Sequence, residues 1–361
     1  MQRVLASQVA SVAKIEKMKP RLKFLDRFLT LWIFLAMLTG VALGNFFPGL
    51  AQWIDDMSMG TTNVLLAFGL MIMMYPPLTK VDFSRIPQVM AKPKLLLSSF
   101  VVTWLIGPLL MFLLATTFLR DYPEYMTGLI IIGLAPCIAM VIVWNDLAQG
   151  SKEWVTGLVG INSLIQVLFF AFYAYFYLEI VLPMMGIPGV HIEITMLQIA
   201  QTVGLYLGVP FIAAVFSRKW IIANKGAQWF QTRFIPAISP MTLIALLFTI
   251  VVMFVLKGQM IVQLPLDVFR VAIPLVIFFA VMFLLMFFVA RWAGANYAEN
   301  AAVSFTASGN NFELAIAVSI GVFGLNSGQA FAGVIGPLVE VPALILMVKL
   351  SLYLKKRIYG V

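Results

Sequence analysis

The sequence predicts an all-α integral membrane protein. Ten transmembrane helices form two inverted five-helix repeats, and the fourth and ninth helices are discontinuous. Three observations predict this. Of 361 residues, 62% are hydrophobic and only 11% charged, whereas a soluble domain is about 45–50% apolar and about 25% charged. Ten apolar stretches have spanning length, and lysine and arginine gather in alternate connections.

Roughly 20 apolar residues cross the hydrocarbon layer as a helix. The stretches are Phe28–Phe47, Gly60–Leu78, Leu95–Phe118, Tyr125–Leu147, Trp154–Leu182, Met196–Phe216, Phe234–Leu256, Pro265–Ala290, Asn296–Phe323 and Gln329–Leu354. Short connections such as Phe47-Pro48-Gly49 and Ile187-Pro188-Gly189 carry turn residues. The expected organisation is a cytoplasmic segment 1–27, a first repeat 28–183, a second repeat 194–354 and a cytoplasmic tail 355–361. Before the first stretch, Val4, Leu5, Val9, Val12 and Ile15 have loose helical spacing beside Arg3, Lys14 and Lys17. This suits either a segment lying on the membrane surface or a tail without fixed structure. No apolar run of signal-peptide type precedes Asp26.

With the N-terminus in the cytoplasm, twenty-one basic residues fall on inside segments. Only Arg120 and Lys257 fall outside, and Arg270 sits just within the eighth stretch. By the positive-inside rule both termini are cytoplasmic. The same distribution accounts for the formal charge of +9 without nucleic acid. A single cysteine excludes an intramolecular disulfide and a multi-thiolate zinc site.

Ten helices divide into five and five, and an odd number per half turns the second half over. A shift of 176 residues places Cys137 on Glu313, Ala139 on Ala315 and Ser151 on Ser327. It also places Gly157-Leu-Val-Gly160 on Gly333-Val-Ile-Gly336.

In the fourth stretch, Pro136 removes a backbone donor at mid-span, which by itself could be a kink absorbed by neighbours. At matched depth the ninth stretch reads Ser308-Gly309-Asn310-Asn311-Phe312-Glu313, poor helix material whose amides can replace lost backbone bonds. Interruptions at corresponding places in two halves point to a transporter binding site. Glu313 lies deep in its span, where an ionised carboxylate costs on the order of 2.5–3.5 kcal/mol. A carboxyl there can be a packing group held neutral, or one that exchanges a proton during a cycle. Cys137 can be an inert buried thiol; beside Pro136 and opposite Glu313 it is instead a soft ligand of the kind As(III) and Sb(III) prefer.

Glu340, in Gly336-Pro-Leu-Val-Glu-Val-Pro342, is a supporting intramembrane acid, and Asn145 a supporting amide beside a hydrated Asp146. Asn162, Ser163 and Gln166 read as interhelical glue, and His191 as a solvated loop residue. The methionines and phenylalanines imply packing and lipid contact, with no cofactor.

The segments Ala135–Ala148, Gly309–Ala317 and Phe323–Pro342 closely resemble the arsenical-resistance arsenite permease family, part of the bile acid, arsenite and riboflavin transporter superfamily. The resemblance runs through essentially all ten stretches. It implies efflux of arsenite, sometimes antimonite, coupled to proton entry across the bacterial inner membrane, with Cys137 and Glu313 as the essential pair. By similarity to the sodium–bile acid symporters it further implies that helices four and nine cross in a core domain flanked by a panel domain, with Asn310 and Asn311 at the crossing. Two other classes compete: a sodium-coupled organic-anion importer, and an intramembrane enzyme or passive sensor. No serine–base pair, metal-ligand cluster or phosphate loop in the sequence speaks for the last.

Overall fold

The computed structural model describes residues 28–59, 62–187, 195–256, 264–324 and 327–360. The expectations for 1–27, Pro188-Gly189, His191 and Lys257 lie outside the described residues. Among the described residues the architecture is helical, apart from a pair of two-residue strands, β1 (Ser58–Met59) and β2 (Thr62–Asn63), paired antiparallel.

The helices are α1 (Leu29–Phe46), α2 (Pro48–Asp55), α3 (Val64–Lys80), α4 (Pro93–Phe118), α5 (Pro123–Gly133), α6 (Val141–Leu147) and α7 (Lys152–Met184). They continue with α8 (Met196–Val203), α9 (Val209–Trp229), α10 (Ile235–Leu256), α11 (Leu264–Trp292), α12 (Tyr297–Ser308), α13 (Phe312–Phe323) and α14 (Gly328–Leu354). Among the described residues, six helical runs are long and apolar enough to cross a membrane: Val64–Met90, Pro93–Phe118, Lys152–Met184, Met196–Leu256, Leu266–Trp292 and Gly328–Tyr359. Leu31–Phe46 and Phe312–Phe323 are shorter apolar helices. The protein is thus an all-α, multi-pass membrane protein.

One local expectation is corrected. The turn expected at Phe47-Pro48-Gly49 opens α2, because proline at a first helical position sacrifices only an N–H that has no intrahelical partner. The break expected between Phe216 and Phe234 falls at Gly226, where two helices meet at a kink within the apolar run Met196–Leu256. Its single non-helical residue is Gly226 (φ 83°, ψ 157°), a backbone region that glycine enters without steric cost. Arg218 in this stretch pairs with Asp82 at 3.1 Å, and Lys225 stacks on Trp229.

Two groups of helices pack internally. The first contains α1, α3 and α10, with α9 against α3. The second gathers α4, α5, α7 and α11–α14, in which α14 touches α5, α11 and α13. Several contacts in the second group are backbone to backbone. A Cβ on Gly128 of α5 would lie 2.9 Å from Gln329 Cα, and one on Gly333 of α14 would lie 2.8 Å from the Ile316 side chain and 3.4 Å from its backbone. Gly336 lies directly under the Phe312 ring.

Hydrogen-bonding side chains start the key helices. Ser151 caps α7 by accepting from the Trp154 N–H, and Ser327 caps α14 by accepting from Ala330. Asn296 and Glu299 form a reciprocal capping box on α12. Glu299 also binds Lys92 at 2.7 Å, tying α12 to the turn before α4.

Candidate functional site

Both spans flagged by their sequence are interrupted. α5 ends at Gly133 and α6 starts at Val141; α12 ends at Ser308 and α13 starts at Phe312. A proline at 136 cannot supply a helical N–H, and Gly309 adopts an extended conformation (φ −89°, ψ 148°) that takes the chain out of α12.

The two interruptions lie against each other as a short antiparallel bridge centred on Pro136 and Asn310. Cys137 N–H donates to the Gly309 carbonyl at 2.8 Å, and Asn311 N–H donates to the Ala135 carbonyl at 2.8 Å. Deep in a membrane each peptide group freed from a helix needs a partner, and here each broken span satisfies the other.

Side chains complete the crossing. Asn310 Nδ2 donates to the Ile132 carbonyl at 3.0 Å, reinforcing an acceptor that the end of α5 holds only by a long bond from the Ala135 N–H at 3.5 Å. Asn311 Oδ1 accepts from Leu314 N–H at 3.1 Å and so caps α13. From α7, Gln166 Nε2 donates to the Pro136 carbonyl at 2.7 Å, while Gln166 Oε1 accepts from Asn311 Nδ2 at 2.7 Å. Gln166 is wholly buried. Its reading as interhelical glue is apt, but the joint it secures is the crossing itself.

Beside the crossing is a cavity of about 220 Å³. From the crossing and α6 it is lined by Cys137, Ala139, Met140, Val143, Asn310, Phe312 and Glu313, and from α14 by Pro337 and Glu340. The other wall is Pro77 and Lys80 of α3 with Ser239, Pro240, Thr242, Leu243 and Leu246 of α10. The cavity therefore lies between the two helix groups.

Cys137 is 2% exposed, and Glu340 and Asn310 are each 3% exposed. Glu313 keeps more of its surface open. Two acceptor atoms, Glu340 Oε1 and Asn310 Oδ1, are buried with no hydrogen-bond partner in the protein. Such orphans cost about 1–3 kcal/mol each unless a guest donates to them. Gly309 sits between the key groups: a Cβ there would lie 3.0 Å from Cys137 Cβ and 3.2 Å from Glu340 Oε1.

The structure thus gathers Cys137, Glu313, Asn310 and Glu340 around one space, with Gly309 and Pro136 shaping the backbone. Asn311 acts as cap and tie and does not line the cavity. Ser308 is buried and turned to the Phe305 carbonyl at 3.4 Å. Asn145 is also elsewhere: its side chain donates to the Ser151 carbonyl at 3.3 Å, and its backbone carbonyl accepts from Gly150. Sequence reasoning missed Lys80, Ser239 and Thr242. Each is one polar residue at the edge of, or within, an otherwise apolar stretch, and only the approach of α3 and α10 brings them to the crossing.

The Sodium Bile acid symporter family model matches residues 67–264. An arsenical-resistance protein Acr3 of Corynebacterium glutamicum is 47% identical over 339 residues, covering 94% of this chain and 92% of that protein. An arsenical-resistance protein Acr3 of Alkaliphilus metalliredigens is 34% identical, covering 91% and 92% respectively. An uncharacterized transporter of Synechocystis sp. is 33% identical, covering 91% and 88%.

Proposed function

The chain belongs to the arsenical-resistance permease family, within the sodium bile acid symporter family, and from this premise we propose that it extrudes arsenite, and antimonite, in exchange for protons. The observation that carries the proposal is the convergence of one thiol, two carboxyls and an amide oxygen on a single buried cavity.

Arsenite at neutral pH is an uncharged trihydroxide. Its hydroxyls donate to Glu340 Oε1 and Asn310 Oδ1, the acceptors that lack protein partners. Its soft As(III) centre faces the Cys137 sulfur. With one cysteine in the chain, a three-sulfur cage cannot form within a protomer, and a single sulfur contact suits a carrier that must let go.

In the cycle, arsenite enters from the cytoplasm and lodges beside Cys137 with Glu313 as its hydrogen-bond or proton partner. The helix group bearing the crossing shifts against α3 and α10, and the cavity opens outward. A proton reaching Glu313 weakens the bound state, arsenite leaves, and the proton departs to the cytoplasm on return. One charge entering down the potential contributes about 2.3 kcal/mol per 100 mV, enough for roughly fifty-fold accumulation.

The architecture is read as ten spans in two inverted repeats, 28–183 and 194–354, in the bacterial inner membrane with both termini cytoplasmic. Several relationships at the 176-residue spacing support the repeat. Ser151 and Ser327 are both N-caps, Gly133 and Gly309 both stand where a half-helix stops, and Ala135 and Asn311 are hydrogen-bonded directly. A direct bond between repeat-related residues is what a two-fold axis through the crossing requires. The group containing α12–α14 is the core, and α1, α3, α9 and α10 form the panel.

One observation favours a second reading, sodium-coupled uptake of an organic anion. Glu313, Glu340 and Asn310 oxygens on one cavity also suit a hard cation. The discriminating experiment is arsenite uptake by everted membrane vesicles, with sodium present or absent. Uptake driven by a proton gradient, indifferent to sodium and reduced below a tenth in Cys137→Ala and Glu313→Gln, is the expected result. Undiminished uptake in either variant means that the roles are misassigned.

A further inference from the structure

Threonines inside helices usually turn the hydroxyl back onto the carbonyl four residues earlier. Thr116, Thr202, Thr249 and Thr306 do so here at 2.7–2.9 Å, onto Phe112, Gln198, Ala245 and Ala302. Thr242, within α10, does not: its Oγ1 is buried and has no hydrogen-bond partner. Thr103 and Thr127 share that condition, but of the three only Thr242 lines the cavity. Its neighbour Ser239 also lines the cavity and is bonded conventionally, donating to the Ile235 carbonyl at 2.7 Å.

Three buried oxygens without a protein partner therefore belong to residues that line one space: Glu340 Oε1 from α14, Asn310 Oδ1 from the crossing and Thr242 Oγ1 from α10. They come from both helix groups. A guest with hydroxyls directed three ways satisfies all of them, and a guest with one hydroxyl replaced by methyl leaves one orphaned.

We infer that Thr242 is a specificity-determining residue, the α10-side hydrogen-bond contact to a trihydroxide cargo, which lets the cavity prefer a trihydroxide over a methylated dihydroxide. This rests on the transport reading above. Thr242 sits on the wall that the crossing moves against, so its bond forms only when the walls are together. It contributes to holding the cargo and leaves the rate of the cycle nearly untouched.

The test measures arsenite uptake by everted vesicles, and its inhibition by methylarsenite, for wild type, Thr242→Val, Thr242→Ala and Thr242→Ser. Valine keeps the shape without the hydroxyl; alanine is a second hydroxyl-free variant should valine pack poorly, with amount and elution profile of each purified variant checked. Loss of one hydrogen bond to an uncharged group corresponds to about five- to tenfold in binding. The valine and alanine variants are expected to raise the arsenite KM by about that factor with maximal rate within about twofold. Their preference for arsenite over methylarsenite narrows by a similar factor, and serine restores both. An unchanged KM in both variants, or equal weakening toward both compounds, overturns the assignment. Wild-type vesicles that take up no arsenite instead overturn the transport reading on which it rests. Wild-type uptake that Cys137→Ala abolishes, alongside unaltered Thr242 variants, overturns the Thr242 role alone.

Discussion

The side-chain amide of Gln166 donates to the Pro136 carbonyl at 2.7 Å. Through its oxygen the same residue accepts from Asn311, so α7 holds both strands of the crossing at once. Gln166→Leu leaves the Pro136 carbonyl and the Asn311 amide without partners, at about 1–3 kcal/mol each. Thermal unfolding of the detergent-purified protein should shift downward by several degrees. Gln166→Glu should be less damaging, because a neutral carboxyl can still donate to the carbonyl and accept from the amide. A melting temperature equal to wild type in both would show that the tie is dispensable.

Gly336→Ala places a methyl into the ring of Phe312, which itself lines the cavity. Overpacking of this kind costs about 1–3 kcal/mol. The expected outcome is reduced stability together with an altered arsenite KM, since Phe312 can yield only by moving where α13 begins. Stability falling with KM unmoved would mean that the ring yields away from the cavity.

Gly309→Ala is a gentler probe. The backbone there is at negative φ, which alanine accepts, and the added methyl meets Cys137 Cβ at 3.0 Å and Glu340 Oε1 at 3.2 Å. Stability should fall by about 1 kcal/mol or somewhat more, while arsenite KM rises severalfold. Quantitative vesicle uptake beside a melting curve checks both halves.

Lys92→Ala leaves Glu299 largely buried without its partner. Because Lys92 is itself half exposed, the loss is discounted from that of a buried pair to about 1–2 kcal/mol. Glu299→Gln should cost less, since the amide oxygen still accepts from Asn296 N–H and no buried charge remains. Equal melting temperatures for the two variants would contradict the pairing argument.

Glu313→Gln should separate coupling from binding. Exchange of radiolabelled arsenite across vesicles without a proton gradient is expected to persist within a few fold, while accumulation driven by the gradient disappears. Retained accumulation would move the proton-carrying role to another group.

The broken spans were legible because their causes are local: proline lacks a donor at 136, and Gly309-Asn310-Asn311 supplies amides where helical bonds stop. The lone thiol and the deep acid were legible for the same reason, since a rare residue at the wrong depth stands out on its own. Lys80, Ser239 and Thr242 were not, because nothing near them in the chain says which helix they will face. Asn145 shows the converse: an amide beside the critical motif that its own loop consumes. The break near Gly226 was legible too, since basic residues and a glycine there interrupt the apolar run.

Gly128, Gly333 and Gly336 bring α5, α13 and α14 together with almost no side chain between them. Elements seated that closely have no slack to slide, so in the proposed cycle the half-helices, the crossing and α14 move as a block. In that cycle, give then comes from the looser seam, where leucines, methionine and prolines present mostly hydrocarbon surface.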